Sequence, residues 1–492
     1  MKNFNDRRKK WLAVLTLTLV LGGLLLFAVT NAIGGKTHVT FGGLLRADTF
    51  YIIALFLLLV PILLAALVVV ILFVKDKPAK KRNSEQYDDD EDDFFTPISS
   101  AEKKDESDAD ESAPSLASLL SGKGKEKEEE EERGERFCML SEIDRKSAGY
   151  GHQSYETGVS LESFCRDFRN YAASKLKLYY DIEDIRRFVA GMAVSKLVIL
   201  QGMSGTGKTS LAHAFGSFTD NSSTVIPVQP MWKERTDLIG YYNEFTKRFN
   251  ETLLLEKMYE ANYSKDMYIT VLDEMNIARV EYYFAEFLSL LELPDPDERY
   301  IDVVSDKWES DPKQFRDGRI KLPENMWFVG TANNDDSTFA ISDKVYDRAM
   351  ILNLDAKSER FAAPATAKQP ISAAQFGSLV SNAITEYGIS KRNLDRLEEM
   401  DKYLIDHFHI TFGNRIMKQI KTYIPVYVAC GGDELVALDD ILSKKIIRKL
   451  ETQNPIYLRN SAEGLLGFID ELFGDGKMPL CKDYIVRLQR NA

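Results

Sequence analysis

Gly202-Met203-Ser204-Gly205-Thr206-Gly207-Lys208-Thr209 fits the pattern G-x-x-x-x-G-K-[ST]. Lys196-Leu197-Val198-Ile199-Leu200-Gln201 before it reads as a short buried strand, and Ser210-Leu211-Ala212-His213-Ala214-Phe215 after it as the opening of a helix. Strand, glycine-rich loop and helix in that order are the context in which such a loop holds phosphate. Glycines let the backbone turn so tightly that successive N–H groups point inward. The following helix adds its positive N-terminal end. Gly202, Ser204, Gly205, Thr206 and Gly207 form the cradle, Lys208 brings a cation to the β- and γ-phosphates, and Thr209 offers a hydroxyl to Mg²⁺. The bland alternative, a glycine-rich turn with a surface lysine, does not explain the flanking strand and helix.

The 492 residues leave room for two or three domains. The formal net charge of −12 is unevenly spread: residues 1–84 carry +9, residues 85–135 carry −14 and residues 136–492 carry −7. This balance gives no support for non-specific nucleic-acid binding. Cys138, Cys165, Cys430 and Cys481 lie far apart and form no C-x-x-C. That spacing argues against a disulfide framework or zinc site and for reduced thiols in a cytosolic domain. His407 and His409 are close, but nothing near them completes a metal cluster, and they read as structural.

Residues 11–33 and 50–74 hold no charged side chain. Each run is long enough to cross a hydrocarbon core of about 30 Å at about 1.5 Å per residue, and Pro61 in the second is tolerated in a membrane helix. Arg7, Arg8, Lys9 and Lys10 precede the first run, and Lys75, Lys77, Lys80, Lys81 and Arg82 follow the second; residues 34–49 between them hold only Lys36 and Arg46. The cations place both ends of a transmembrane hairpin in the cytoplasm, the pattern of a multi-pass plasma-membrane protein. A cleaved signal peptide is the rival reading of the first run. Even then the second run would stop transfer and keep the phosphate loop cytoplasmic. Residues 83–135 are rich in Asp, Glu, Lys and Ser, with like-charge blocks at 88–93 and 128–132. Such a stretch cannot bury enough apolar area to fold, and self-repulsion extends it. It reads as a disordered acidic linker; a docking site for a basic partner is the sharper alternative.

Beyond residue 136 strand-like and helix-like runs alternate to about 355, the signature of βαβ units and a parallel sheet. Helical patterns then dominate, at 372–387, 390–408, 412–429 closed by Gly431-Gly432, 435–451 and 461–473. The expected organisation is a transmembrane hairpin over 1–82, an acidic linker over 83–135, an α/β nucleotide-binding core over 136–360 and an α-helical lid over 361–492.

Two further strands carry chemistry. Tyr268-Ile269-Thr270-Val271-Leu272-Asp273-Glu274 is an apolar run ending in two carboxylates. Asp273 would hold Mg²⁺ beside Thr209, and Glu274 would orient and polarise the attacking water. Met326-Trp327-Phe328-Val329-Gly330-Thr331-Ala332-Asn333-Asn334 ends in amides, which can hydrogen-bond the γ-phosphate or the water without repelling either. Asn333 is the first choice there and Asn334 the second; an ordinary Asn-Asn-Asp-Asp turn is the plain alternative.

With these stretches in order, the chain resembles an AAA+ ATPase, and within that superfamily the branch holding the motor subunit of methylcytosine-specific restriction systems and the dynein-related ATPases. The likeness rests on residues 202–209, on Leu272-Asp273-Glu274-Met275-Asn276, on Val329-Gly330-Thr331-Ala332-Asn333, on Ile341-Ser342-Asp343-Lys344-Val345-Tyr346-Asp347-Arg348, and on Asp237-Leu238-Ile239-Gly240. It covers roughly residues 180–455. The resemblance implies a P-loop parallel sheet and a homo-oligomeric ring, most often a hexamer, with nucleotide between neighbours. It also implies a trans-acting arginine at Arg348 and a sensor arginine on the lid at Arg415, in Phe412-Gly413-Asn414-Arg415-Ile416. Relatives often show consecutive arginines where Arg348 stands between Asp347 and Ala349.

Residues 281–292 are amphipathic at helical spacing and read as core packing. Residues 300–322 read as an ordinary surface insertion; the sharper alternative, from the resemblance, is a hairpin or loop facing a ring pore, with Trp308 and Phe315 to grip a substrate. ATP with Mg²⁺ is the expected cofactor pair, with GTP the alternative because the restriction-system relatives use it. The expected role is a membrane-anchored ATPase that remodels an unidentified protein or assembly at the cytoplasmic face. Direct nucleic-acid work is not expected. A GTP-driven motor serving a nuclease in defence and a nucleotide-regulated membrane scaffold are the alternatives.

Overall fold

The computed structural model describes residues 135–491, apart from 151–153, 156, 334–337 and 356. The two apolar runs and the acidic linker lie outside the described residues. Among the described residues no helix is long and apolar enough to cross a membrane.

Three helices lead into the sheet: α1 (Met139–Lys146), α2 (Leu161–Leu176) and α3 (Ile182–Val194). Strand β1 (Leu197–Gly202) and helix α4 (Lys208–Phe218) bracket the glycine-rich loop. Then come β2 (Thr224–Pro227), the hairpin β3 (Gly240–Asn243) with β4 (Arg248–Glu251), α5 (Leu253–Ala261) and β5 (Tyr268–Asp273). A second hairpin, β6 (Tyr300–Asp302) with β7 (Arg319–Lys321), precedes β8 (Met326–Asn333) and β9 (Met350–Asn353). The rest is helical: α6 (Ala373–Glu386), α7 (Lys391–Phe408), α8 (Gly413–Ala429), α9 (Glu434–Lys445), α10 (Pro455–Phe473) and α11 (Pro479–Asn491).

The central sheet is five-stranded in the order β2-β5-β8-β1-β9, with every pairing parallel. Its three central strands, β5, β8 and β1, are mostly apolar and buried because both faces are covered. Alternate residues face opposite cores. Val198, Leu200, Ile269, Val271, Trp327 and Val329 pack with the helical side, which includes Phe188, Phe215 and Tyr423. Leu197, Ile199, Tyr268, Leu272, Met326 and Phe328 pack on the other face with Leu255, Tyr283 and Phe287. Phe168 and Phe188 each meet Phe215 edge-on, with ring centroids 5.3 and 5.4 Å apart, which seats α2 and α3 against α4.

The helix starts follow from their caps. Ser160 and Ser372 each form a reciprocal capping box, and Asp181, Thr252, Ser390, Asp433 and Asn454 each accept a first-turn N–H. At the end of α8, Gly431 takes a φ of +87°, and its N–H and that of Gly432 donate to Val428 and Tyr427 carbonyls at 2.8 and 3.1 Å.

Several expectations need correction. The helical run at 281–292 is broken into Val280–Tyr283 and Ala285–Leu290. At the break, Phe284 stacks on Phe287 at 4.9 Å and meets Phe328 of the sheet at 5.1 Å, so packing overrides the helical period. Residues 300–322 do contain a hairpin, but Trp308 and Phe315 are not presented to a pore. Trp308 is 8% exposed and lies beneath the Arg136 guanidinium, 4.3 Å from its ring centroid. Phe315 packs edge-on against Phe137 at 5.0 Å. Both aromatics anchor the arm that leads into α1. Helix α9 stops at Lys445 and continues as a 3₁₀ turn, Ile447–Thr452; α10 begins at Pro455, under the Asn454 cap, and not at 461.

Gly330, in β8, is a packing requirement: a Cβ there would stand 1.9 Å from the Met275 sulfur. Gly330→Ala should cost roughly 1–3 kcal/mol of stability through overpacking, read as a lower midpoint in thermal unfolding of the purified chain. An unchanged midpoint would show that Met275 moves freely.

Candidate nucleotide-binding site

The loop after β1 owes its path to two glycines. Gly202 has a φ of +141°, and a Cβ on it would meet the Leu354 carbonyl oxygen at 2.2 Å. Gly207 has a φ of +96°, and a Cβ there would stand 3.3 Å from the Tyr180 hydroxyl, which donates to the Gly207 carbonyl at 3.1 Å. Burial raises the Tyr180 hydroxyl above its ordinary range, so it stays a neutral donor. Ser204 and Gly205 are exposed, and the Thr206 hydroxyl donates to Met203 O at 3.0 Å. Lys208, the first residue of α4, is 7% exposed. Its ammonium bends back to donate to Gly202 O at 3.0 Å and Met203 O at 2.8 Å, across the mouth of the loop.

Three strand ends meet there. In the parallel register Gly202 is opposite Asn333, and β8 lies between β1 and β5. This is the carboxyl edge of the sheet, where open α/β folds bind ligands. Asp273, at the end of β5, accepts from the Thr209 hydroxyl at 2.7 Å and from the Thr331 hydroxyl at 2.7 Å, both on one carboxylate oxygen. The Thr331 oxygen also accepts the Glu274 N–H at 2.9 Å. Glu274 has a φ of +53°, a left-handed conformation that costs on the order of 1 kcal/mol. The turn carries Glu274 out of the strand and leaves it exposed.

Thr331 therefore fixes both acidic residues, although its hydroxyl has no obvious chemistry in the sequence. The clue was positional: its strand neighbours Ala332 and Gly330 are small and apolar, so a polar residue there needs a polar partner. Asn276 was missed in the same way. Its amide donates to Asn333 O at 2.9 Å, Thr338 Oγ1 at 3.0 Å and Phe339 O at 3.3 Å, which ties the end of β8 to Thr338 and Phe339. Asn334 lies outside the described residues.

Hard oxygen donors from Thr209 and Asp273, already in contact, suit Mg²⁺, which favours one or two carboxylate ligands completed by phosphate and water. Among the described residues no cluster of His, Cys, Asp and Glu could hold a metal by itself.

Arg348 and Arg415 are not at this edge. Met350 of β9 is in register with Val198 of β1, four residues before Gly202. The Ser195 hydroxyl, just ahead of β1, donates to Arg348 O at 2.7 Å. Arg348 thus sits at the amino end of the sheet, more than about 13 Å from the loop at about 3.3 Å per residue. Its guanidinium pairs with Glu292 and donates to Lys344 O at 2.7 Å. Arg415, on α8, pairs with the other oxygen of the same Glu292. The two arginines come together, away from the phosphate loop of their own chain. Lys445, buried under them, donates to Tyr346 O at 2.6 Å and to Ala349 O. Burial pushes its ammonium down to about 7.

Residues 197–349 match the family model described as the AAA domain of the dynein-related subfamily. This segment is similar to the AAA domains of that subfamily. The match begins at β1 and ends just after Arg348, so the matched segment contains the loop, the Asp273–Glu274 pair, Asn333 and the arginine. No curated protein matches the chain in sequence. Among solved structures, a full-length MCM homolog from Methanopyrus kandleri matches with a TM-score of 0.31 and 12% identity. That match covers 68% of this chain and 61% of the other.

Proposed function

We propose that this chain is a membrane-anchored AAA+ ATPase that hydrolyses ATP with Mg²⁺ and uses the work to remodel a protein or assembly at the cytoplasmic face of the membrane. The observation that carries the ATPase reading is the hydrogen-bonded node of Thr209, Asp273 and Thr331, with Glu274 exposed beside it. In this reading the loop amides and Lys208 bind the β- and γ-phosphates, Lys208 exchanging its carbonyl partners for phosphate oxygens. Thr209 and Asp273 would hold Mg²⁺, which neutralises charge developing on the phosphate oxygens. Glu274 positions the attacking water and accepts its proton, and the Asn333 amide donates to the γ-phosphate or the water.

Arg348 is too far along the sheet to serve its own loop, which supports action on a neighbour's nucleotide in a ring. A cation reaching the γ-phosphate across an interface would stabilise the transferring group and tie hydrolysis to assembly. For a protein partner, the hairpin β3–β4 presents Phe245, 99% exposed at its tip. The membrane part of the proposal rests on the charge-free runs at 11–33 and 50–74 and their flanking cations.

The test is subunit mixing. Arg348→Ala and Glu274→Gln chains should each be inactive alone. Mixed, they should recover measurable ATP hydrolysis, because some interfaces pair an intact loop with an intact arginine. No recovery at any ratio would contradict action in trans.

A further inference from the structure

At the amino end of the sheet, a second cavity of about 570 Å³ opens beneath the starts of β1 and β8, the end of α5 and the start of α6. Four cations line it from separate segments: Lys196 ahead of β1, Lys265 ahead of β5, Arg299 ahead of β6, and Lys321 in β7. Lys321 is neutralised by Asp297 at 2.6 Å and Glu324 at 2.9 Å. Glu324 is the single carboxylate in the lining. Lys196, Lys265 and Arg299 form no ion pair among the described residues. The Lys196 ammonium donates to Glu324 O at 2.6 Å and lies 3.1 Å from the Trp327 ring centroid, leaving further N–H donors. The Arg299 guanidinium donates to the Leu293 carbonyl at 2.6 and 3.2 Å.

Converging like charges around a cavity repel one another, and burial adds a desolvation cost to each. Lys196 registers both effects: burial first, then the positive charge of Arg299, bring its ammonium down to about 7. An anion in the cavity would relieve the repulsion. The volume falls within the range of small-molecule sites. The convergence of cations from four separate segments on one open pocket favours a compact anion over an extended peptide.

We propose that this cavity is an anion site, distinct from the phosphate loop, that takes a small phosphorylated molecule on Lys196, Lys265 and Arg299. The probe is pyrophosphate, titrated calorimetrically into the full-length chain carrying Lys208→Ala, which disables the loop. Saturable binding should remain in that background. It should weaken by roughly tenfold or more for each further cation removed by Lys196→Met or Arg299→Met, while Arg299→Lys restores most of it. Should the buried variants fail to fold, Lys265→Met on the exposed rim provides the same reading with little structural risk. Loss of all binding with Lys208→Ala, or undiminished binding after the cavity cations are removed, would overturn the proposal. So would binding that emerges only when residues 85–134 are deleted, since that would assign the cavity to the chain's own carboxylates.

Discussion

Lys208→Ala should abolish tight triphosphate binding. The ammonium is nearly buried and holds two carbonyl groups at the mouth of the loop, so it is already positioned where phosphate oxygens would enter. A charge-assisted contact of this kind contributes about 1.5–3 kcal/mol. Two phosphate groups contacted together should make the loss at least roughly 100-fold in Kd, at 1.4 kcal/mol per factor of ten. Calorimetric or fluorescent-nucleotide titration reads it directly. The thermal midpoint of the nucleotide-free variant, measured alongside, separates loss of binding from loss of the fold. Wild-type affinity in the variant would remove the loop from the mechanism.

Glu274→Gln should separate binding from cutting. The side chain is exposed and makes no hydrogen bond or ion pair among the described residues, while its N–H is fixed by Thr331. The amide should preserve shape and the approach of phosphate, yet accept no proton. Loss of a general base typically costs 10²–10⁴-fold, so turnover should fall by roughly that factor, with triphosphate retained on the protein. Retention of bound, uncut triphosphate after gel filtration is the diagnostic result. Wild-type turnover would remove Glu274 from the chemistry.

Much of the core could be read from the sequence because it depends on local rules. The phosphate loop, the two later strands and their terminal polar residues announce themselves through apolar runs ending abruptly in glycine, carboxylate or amide. The caps at Ser372, Ser390 and Gly431 likewise set helix limits where the side chains said they should. What could not be read depends on contacts between distant segments. Trp308 and Phe315 look like exposed hairpin aromatics until Arg136 and Phe137 arrive to cover them. At the break, Phe284 packs edge-on against Phe328, more than forty residues away. Cys165 and Cys430, far apart in sequence, meet in the core, where burial and the second thiol raise the Cys165 thiol well above its ordinary range. The sharing of Glu292 by Arg348 and Arg415 has no signature in spacing at all. It brings Arg415 of α8 beside Arg348 at the amino end of the sheet, while Asn333 lies level with Gly202 at the loop.

The Glu292 pairing also gives assembly an energetic meaning. In this structure one carboxylate balances both guanidinium groups; in the proposed ring a neighbour's triphosphate would compete for them. Activity should therefore depend on how many subunits have met. The most direct measurement is the rate of ATP and GTP hydrolysis per subunit by the full-length chain with Mg²⁺, followed across protein concentration. The expected result is hydrolysis of ATP whose specific rate climbs with concentration to a plateau. Hydrolysis of neither triphosphate at any concentration would contradict the assignment of this loop and its carboxylates as a working ATPase.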